Sequence, residues 1–482
     1  MTTVLLRNVE RIYTCNYKDE VVENGYVLVR GSTIEDIGRE PCPIAQADEE
    51  HDLTGCIVVP GFVNLHHHFF QSLTRAIPMG QRAVSLDWLA AMYPLWAEFD
   101  PEAIYWSALA ASSELLLSGA TTSADLAFIL PGSAGEAVDE EVRAVREIGL
   151  RLHLVRSGMP TLEGDIERQL SPLLGDRMSN FIDDDDSLLT RTESDISRHH
   201  DGSRLSMVRI DLGPTAITYE KRSLMKRFAA LASEHGCGLH THYRPRQSER
   251  ELSLKLIGVT PIEFLENSDW LGPRTWFAHC TQLNEEEIGI FADRGCGVAH
   301  CPRTIIRLGY SVAPIAGMRQ AGVKVGVGVD GGASNDGGAF LADLRLALLL
   351  HRVGSEEDAD PLRTWLTPYD VLLMATRTAA AVLGRDDIGH LEPGMAADVA
   401  AFYMRRMGYI GALADPLAGL LMAGSDTQAA LTMVNGRTVV EKGRLKTVDE
   451  SRLVDQANIT AARLLQQAET STGLSFRNYP SA

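Results

Sequence analysis

The chain has 482 residues, of which 45% are hydrophobic and 6% aromatic, enough to bury a large core and too apolar for a disordered chain. Lys and Arg number 45 against 64 Asp and Glu, and the resulting net charge of −19 argues against nucleic-acid and membrane-surface roles, because phosphate and anionic lipid are repelled. There is no apolar run of the roughly 18 residues that a spanning helix needs, Arg7, Glu10 and Arg11 stand where a secretory leader is apolar, and seven scattered cysteines form no CxxC pair, so a cytoplasmic protein without disulfides is expected.

In chain order, the first sixty residues read as short strands. VLLRNVERIYT (4–14), GYVLVRGSTIEDIG (25–38) and GCIVVPG (55–61) carry turn signals at Asn24-Gly25 and Arg30-Gly31. A matching β module comes late, in MAADVAAFYM (395–404) and AALTMVNGRTVVEKGRL (429–445), where Asn435-Gly436 is a hairpin signal. Two β pieces flanking a large middle predict one β-sandwich domain assembled from both termini.

The middle alternates apolar strands with helical stretches. The strands are FVNLHHH, TTSADLA, RLHLVRSG, VRIDLGP, GLHTHY, WFAHC, GVAHC and KVGVGVD; SALAASSELLLSG and RSLMKRFAALASEHG have helical spacing and end at Gly. Eight strand–helix units predict an α/β (β/α)8 TIM-like barrel, and a doubly wound open sheet shares the same alternation. The expected division is 1–59 for the N-terminal part of the sandwich, 60–385 for the barrel, 386–448 for the C-terminal part of the sandwich, and 449–482 for a C-terminal helix and tail. The acidic run at 182–186 lacks the spaced ligands and Gly of a Ca²⁺ loop and reads as a solvated loop or helix cap.

Polar residues at strand ends favour the barrel. His66, His67 and His68 close the first predicted strand; His240 and His242 lie in the fifth; His279 ends the sixth, His300 the seventh and Asp330 the eighth. The C-terminal strand ends of a parallel barrel form one face, where active sites are built. Side chains at i and i+2 point the same way, so His66 and His68 can reach one ion while His67 points away. Any one of these histidines alone reads as a hydrogen-bonded core residue. As an ordered set they make an open site of imidazoles and one carboxylate, suited to one divalent metal, Zn²⁺ first and Fe²⁺ as the alternative.

With these motifs on the page, the chain resembles the amidohydrolase superfamily, in the subgroup of triazine hydrolases and aminoheterocycle deaminases. The likeness rests on VVPGFVNLHHHFFQSLTRAIP, ELLLSGATTSAD, GLHTH, WFAHC, GVAHCP, GVGVDGGASNDGG and IGHLEPGMAADVAAF, in the family's order along nearly the whole chain. It implies His66, His68, His242 and Asp330 as metal residues, with His279 and Asp330 catalytic. A divalent ion lowers the pKa of bound water toward 7, Asp330 would take the water proton, and His279 would hold the developing charge. His300 reads as a supporting or substrate-side residue, and Ser334, Asn335 and Asp336 shape the following loop or are simple turn chemistry.

One departure matters. In the subgroup the fifth-strand His is followed three residues later by a Glu that protonates a ring nitrogen; here that position is Pro245, with Glu249 and Glu251 nearby. Gln71, Trp88 and Arg244 are substrate-side candidates, beside Phe69, Phe70, Tyr93 and Arg246; each also reads as a core or surface residue. The expected function is metal-dependent hydrolysis of a C–N or other leaving-group bond on a small nitrogen-rich ring. An amide or urea hydrolase with an acyclic substrate, and a catalytically impaired binding or scaffold protein, remain alternatives. The partner implied is a small-molecule substrate, with no nucleic acid and no membrane; homo-oligomerisation is compatible with all three.

Overall fold

The computed structural model describes residues 2–479 other than 45, 132–135, 159–165, 181, 183, 219 and 354–359. Eight parallel strands stand side by side in chain order: β1 (Phe62–Asn64), β2 (Ala120–Ala127), β3 (Arg151–Arg156), β4 (Val208–Leu212), β5 (Leu239–Tyr243), β6 (Thr275–His279), β7 (Gly297–His300) and β8 (Lys324–Val327). Except at a few edge positions their residues are buried regardless of alternation, as expected where helices cover the outside and side chains fill the inside. The predicted helices appear as Pro101–Leu117 and Arg222–His235, the latter stopping where Gly236 takes a left-handed φ of 72°.

The barrel closes at the seam between β8 and β1, and it closes unusually. The Leu65 N–H donates to the Val327 carbonyl (3.0 Å) and the Asp330 N–H to the His66 carbonyl (3.0 Å). Immediately beyond, His67–His68 pairs in parallel with Asp330–Gly331. The contact leaves no room for side chains: a Cβ on Gly328 would lie 2.8 Å from the His66 Cβ, and one on Gly331 would lie 1.9 Å from the Gln71 Oε1.

A nine-stranded sheet combines strands from both ends of the chain. Cys56–Pro60 pairs antiparallel with Val399–Tyr403 and parallel with Thr3–Tyr13, joining the early and late modules. This sheet has its own apolar core, including Val4, Leu6, Ile12, Val58, Val399, Leu431 and Met433. A buried ion pair ties sheet to barrel: the Arg151 guanidinium of β3 donates to both oxygens of Asp398. The helix Glu450–Thr472 lies against Pro101–Leu117.

Two local expectations meet different outcomes. Asn435-Gly436 makes the hairpin, with φ of 50° and 79°. Asn24-Gly25 does not turn the chain: Asn24 is left-handed at 50°, yet one strand runs through Val21–Arg30. Pairing with Thr3–Tyr13 continues on both sides, so the left-handed residue is absorbed as an irregularity of the ladder, whose register shifts between Leu6 and Val9. Of the acidic run, Asp184 caps the helix Asp185–His199 by accepting from the N–H groups of Asp186 and Ser187, as a cap should; Asp183 lies outside the described residues. All seven cysteines are free, and among the described residues no helix is long and apolar enough to cross a membrane.

Candidate metal centre

The seam and β5 bring four donors together. Ligand atoms of His66, His68, His242 and Asp330 all lie within 4.8 Å of one another. His66 Nε2 is 3.4 Å and His68 Nε2 3.3 Å from Asp330 Oδ1, and His68 Nε2 is 3.1 Å from His242 Nε2.

The protonation of these rings follows from what they face on the other side. His68 Nδ1 donates to the Leu126 carbonyl (2.8 Å), His242 Nδ1 to the Thr215 carbonyl, and His240 Nδ1 to the Trp276 carbonyl (2.8 Å). A carbonyl only accepts, so each ring keeps a proton at Nδ1 and turns Nε2 the other way. His240 Nε2 accepts from His66 Nδ1 (2.8 Å), and His66 Nε2 has no hydrogen-bond partner. Burial holds the imidazoles of His66 and His242 well below their ordinary range, and therefore neutral. Three imidazole nitrogens and a carboxylate thus converge in a buried space. Three nitrogens with one oxygen suit a divalent transition metal.

A second grouping, His279, Cys301 and Asp330, is geometrically close but chemically poorer. Burial pushes the Cys301 thiol well above its usual range, so it is S–H, and it points to the Ala299 carbonyl.

His240, the other histidine of the fifth strand, supports His66 from behind. His240→Phe removes the acceptor that orients His66 and is expected to weaken metal affinity about 10–100-fold. Competition against a chelator measures this; unchanged affinity would show that His66 needs no such support.

Backbone strain gathers at the same strand ends. Arg244, His279, Cys280 and Asp330 all have left-handed φ, at 46°, 73°, 51° and 66°. His279 stacks on His242 (centroids 5.2 Å apart, planes 7° apart), and its Nε2 lies 3.9 Å from Asp330 Oδ2.

Above the donors lies a pocket whose walls include Trp88, Tyr93, Phe128 and Tyr310, with His68, His242, His279 and Asp330 among its lining. Of the substrate-side candidates, Gln71 and Trp88 line it, and the Gln71 side-chain oxygen also accepts from the N–H groups of Ala333 and Ser334. Phe70 packs behind, edge-on to Trp96 and Phe128.

Two candidates stand elsewhere. Arg244 is not in the lining; the left-handed turn at this residue takes its guanidinium to buried Glu287, and Arg246 is the arginine that reaches the pocket. His300 is also outside the lining, with its Nε2 3.2 Å from His351 Nε2. Ser334 lines the pocket, whereas Asn335 bonds the Val329 carbonyl and Asp343, and Asp336 pairs with Arg307. Phe128, Thr215 and Tyr310 carry no motif that could have marked them in the sequence.

The profile of the amidohydrolase family matches residues 57–439. The chain belongs to the amidohydrolase family. It is a hydrolytic enzyme acting on carbon–nitrogen bonds. It is 34% identical to the 8-oxoguanine deaminase of Pseudomonas aeruginosa, over 96% of this chain and 100% of that protein. It is 32% identical to the hydroxydechloroatrazine ethylaminohydrolase of Pseudomonas sp. (strain ADP), over 96% of each chain. The solved structure of an atrazine chlorohydrolase of Arthrobacter aurescens TC1 complexed with zinc superposes with a TM-score of 0.88 at 34% identity, covering 95% of this chain and 100% of that one. Pro245 lines the pocket, and so does Glu249, whereas Glu251 is exposed and outside it.

Proposed function

We propose that this amidohydrolase is a zinc-dependent hydrolase that displaces an amino, alkylamino or comparable leaving group from a planar nitrogen heterocycle. The observation that supports this reading best is the convergence of three imidazole nitrogens and Asp330 beneath a pocket with aromatic walls. Its relatives, a purine deaminase and triazine hydrolases by name, act on flat rings of this kind.

His66, His68, His242 and Asp330 would hold the ion. Bound there, zinc would polarise the carbon under attack and make water more acidic. The chain's own residues do the rest. Trp88, Tyr93, Phe128 and Tyr310 bury the ring faces and exclude water. Asp330 takes the proton of the attacking water and returns it to the departing group. His279, beside Asp330, steadies the charge that grows on the ring during attack.

The test is a panel of triazines, pyrimidines and purines bearing amino, alkylamino, chloro or methylthio groups, with simple ureas and amides as controls. Activity on rings is expected to vanish on chelation and to return with about one zinc per chain, by elemental analysis. Activity that survives chelation, a requirement for two ions, or turnover confined to acyclic ureas and amides would overturn the proposal.

A further inference from the structure

Arg246 and Glu249 line the pocket without belonging to the donor set. Both come from the turn that follows β5: Glu249 opens the helix Glu249–Leu256, and its N–H bonds the Arg246 carbonyl (3.3 Å). That spacing sets the side chains together, Arg246 Nε standing 2.9 Å from Glu249 Oε1, and the side chains are only 14% and 6% exposed. Both residues share the pocket lining with His279. Among the described residues, Arg246 is the one Lys or Arg in the lining, and Glu249 is the one carboxylate besides Asp330.

Side by side, the pair offers N–H donors next to carboxylate acceptors. An anionic ligand would gain from Arg246 and be repelled by Glu249, and a cationic one the reverse. A neutral group carrying an acceptor next to an N–H donor matches both at once. On a flat heterocycle that group is the lactam edge, whose C=O accepts from Arg246 while its N–H donates to Glu249. A carboxylate that already accepts from a guanidinium is an acceptor, and it does not supply the proton missing at Pro245.

We propose that the Arg246–Glu249 pair is the specificity element of this pocket and reads the lactam edge of the substrate ring. The inference rests on the function proposed above and narrows it to oxo-substituted heterocycles.

The experiment compares each lactam with its O-methyl ether, which lacks the N–H: isocytosine with 2-amino-4-methoxypyrimidine, and the matching 2-chloro compounds. A site built around such a hydrogen bond rejects the analogue without it, and the wild-type enzyme is expected to favour the lactam at least about a hundredfold in kcat/KM. In Arg246→Met/Glu249→Met, where apolar side chains replace both charges so that neither is left unpaired, the loss on the lactam should exceed the loss on the ether at least about tenfold. Calorimetric binding of uracil against 2,4-dimethoxypyrimidine repeats the comparison without turnover. Equal treatment of lactam and ether by the wild type, in both assays, overturns the inference while leaving the proposed function standing. Equal losses on both compounds in the double variant overturn it too. If no ring in the panel is hydrolysed, the proposed function falls, and the calorimetry still decides whether the pair reads a lactam.

Discussion

Asp330→Asn is expected to lower kcat on ring substrates by at least about a hundredfold and to leave the fold intact. The fold should survive because Asp330 has φ of 66°, and asparagine is among the few residues that accept a left-handed backbone. The amide is nearly isosteric, and its oxygen can still accept from the Gly331 N–H, which now bonds Asp330 Oδ1 at 2.7 Å. Chemistry should suffer because the amide is a weaker ligand and accepts no proton near neutral pH. With Asp330 gone, Glu249 is the remaining carboxylate among the described lining residues, and it is committed to Arg246. Metal content and thermal unfolding measured alongside kcat separate the effects. Near-normal turnover in a metal-loaded variant would place the base elsewhere.

The second large effect concerns the leaving group. On one and the same ring, chloro or methylthio substituents are expected to leave about 10²–10⁴-fold faster than amino, relative to an enzyme with a positioned acid, because that is what a general acid contributes. An amine leaves as its protonated form, and attack at a ring amidine is eased by protonating the ring nitrogen. Pro245, at the position where the resemblance implies a Glu, stands in the pocket lining and carries no proton. A chloride or thiolate accepts the departing charge unaided. The measurement is kcat/KM across matched rings together with its pH profile. Fast deamination with an additional acidic group in that profile would mean that another residue has taken over the role.

Much of this was legible in the chain because its signals are local. Strand and helix periodicities need only neighbouring residues, and His66, His68, His242, His279 and Asp330 could be aligned at strand ends because parallel strands in a barrel share one direction. The Asn435-Gly436 hairpin was legible for the same reason, whereas Asn24-Gly25 shows the limit: there only Asn24 is left-handed, and the ladder runs through it.

The donor residues and the order of elements that carries them are written in local pattern. How those donors are prepared, and what faces the substrate, depends on contacts between distant segments. The tautomers of His68, His242 and His240 are set by the carbonyls of Leu126, Thr215 and Trp276, and every residue has a carbonyl, so no residue type announces that role. The choice of Arg246 over Arg244 turns on one left-handed residue just past β5, where strand alternation ceases to govern direction. His300 has the same strand-end position as its neighbours and yet meets His351 instead of the pocket, because depth within a barrel is set by the packing of all eight strands together.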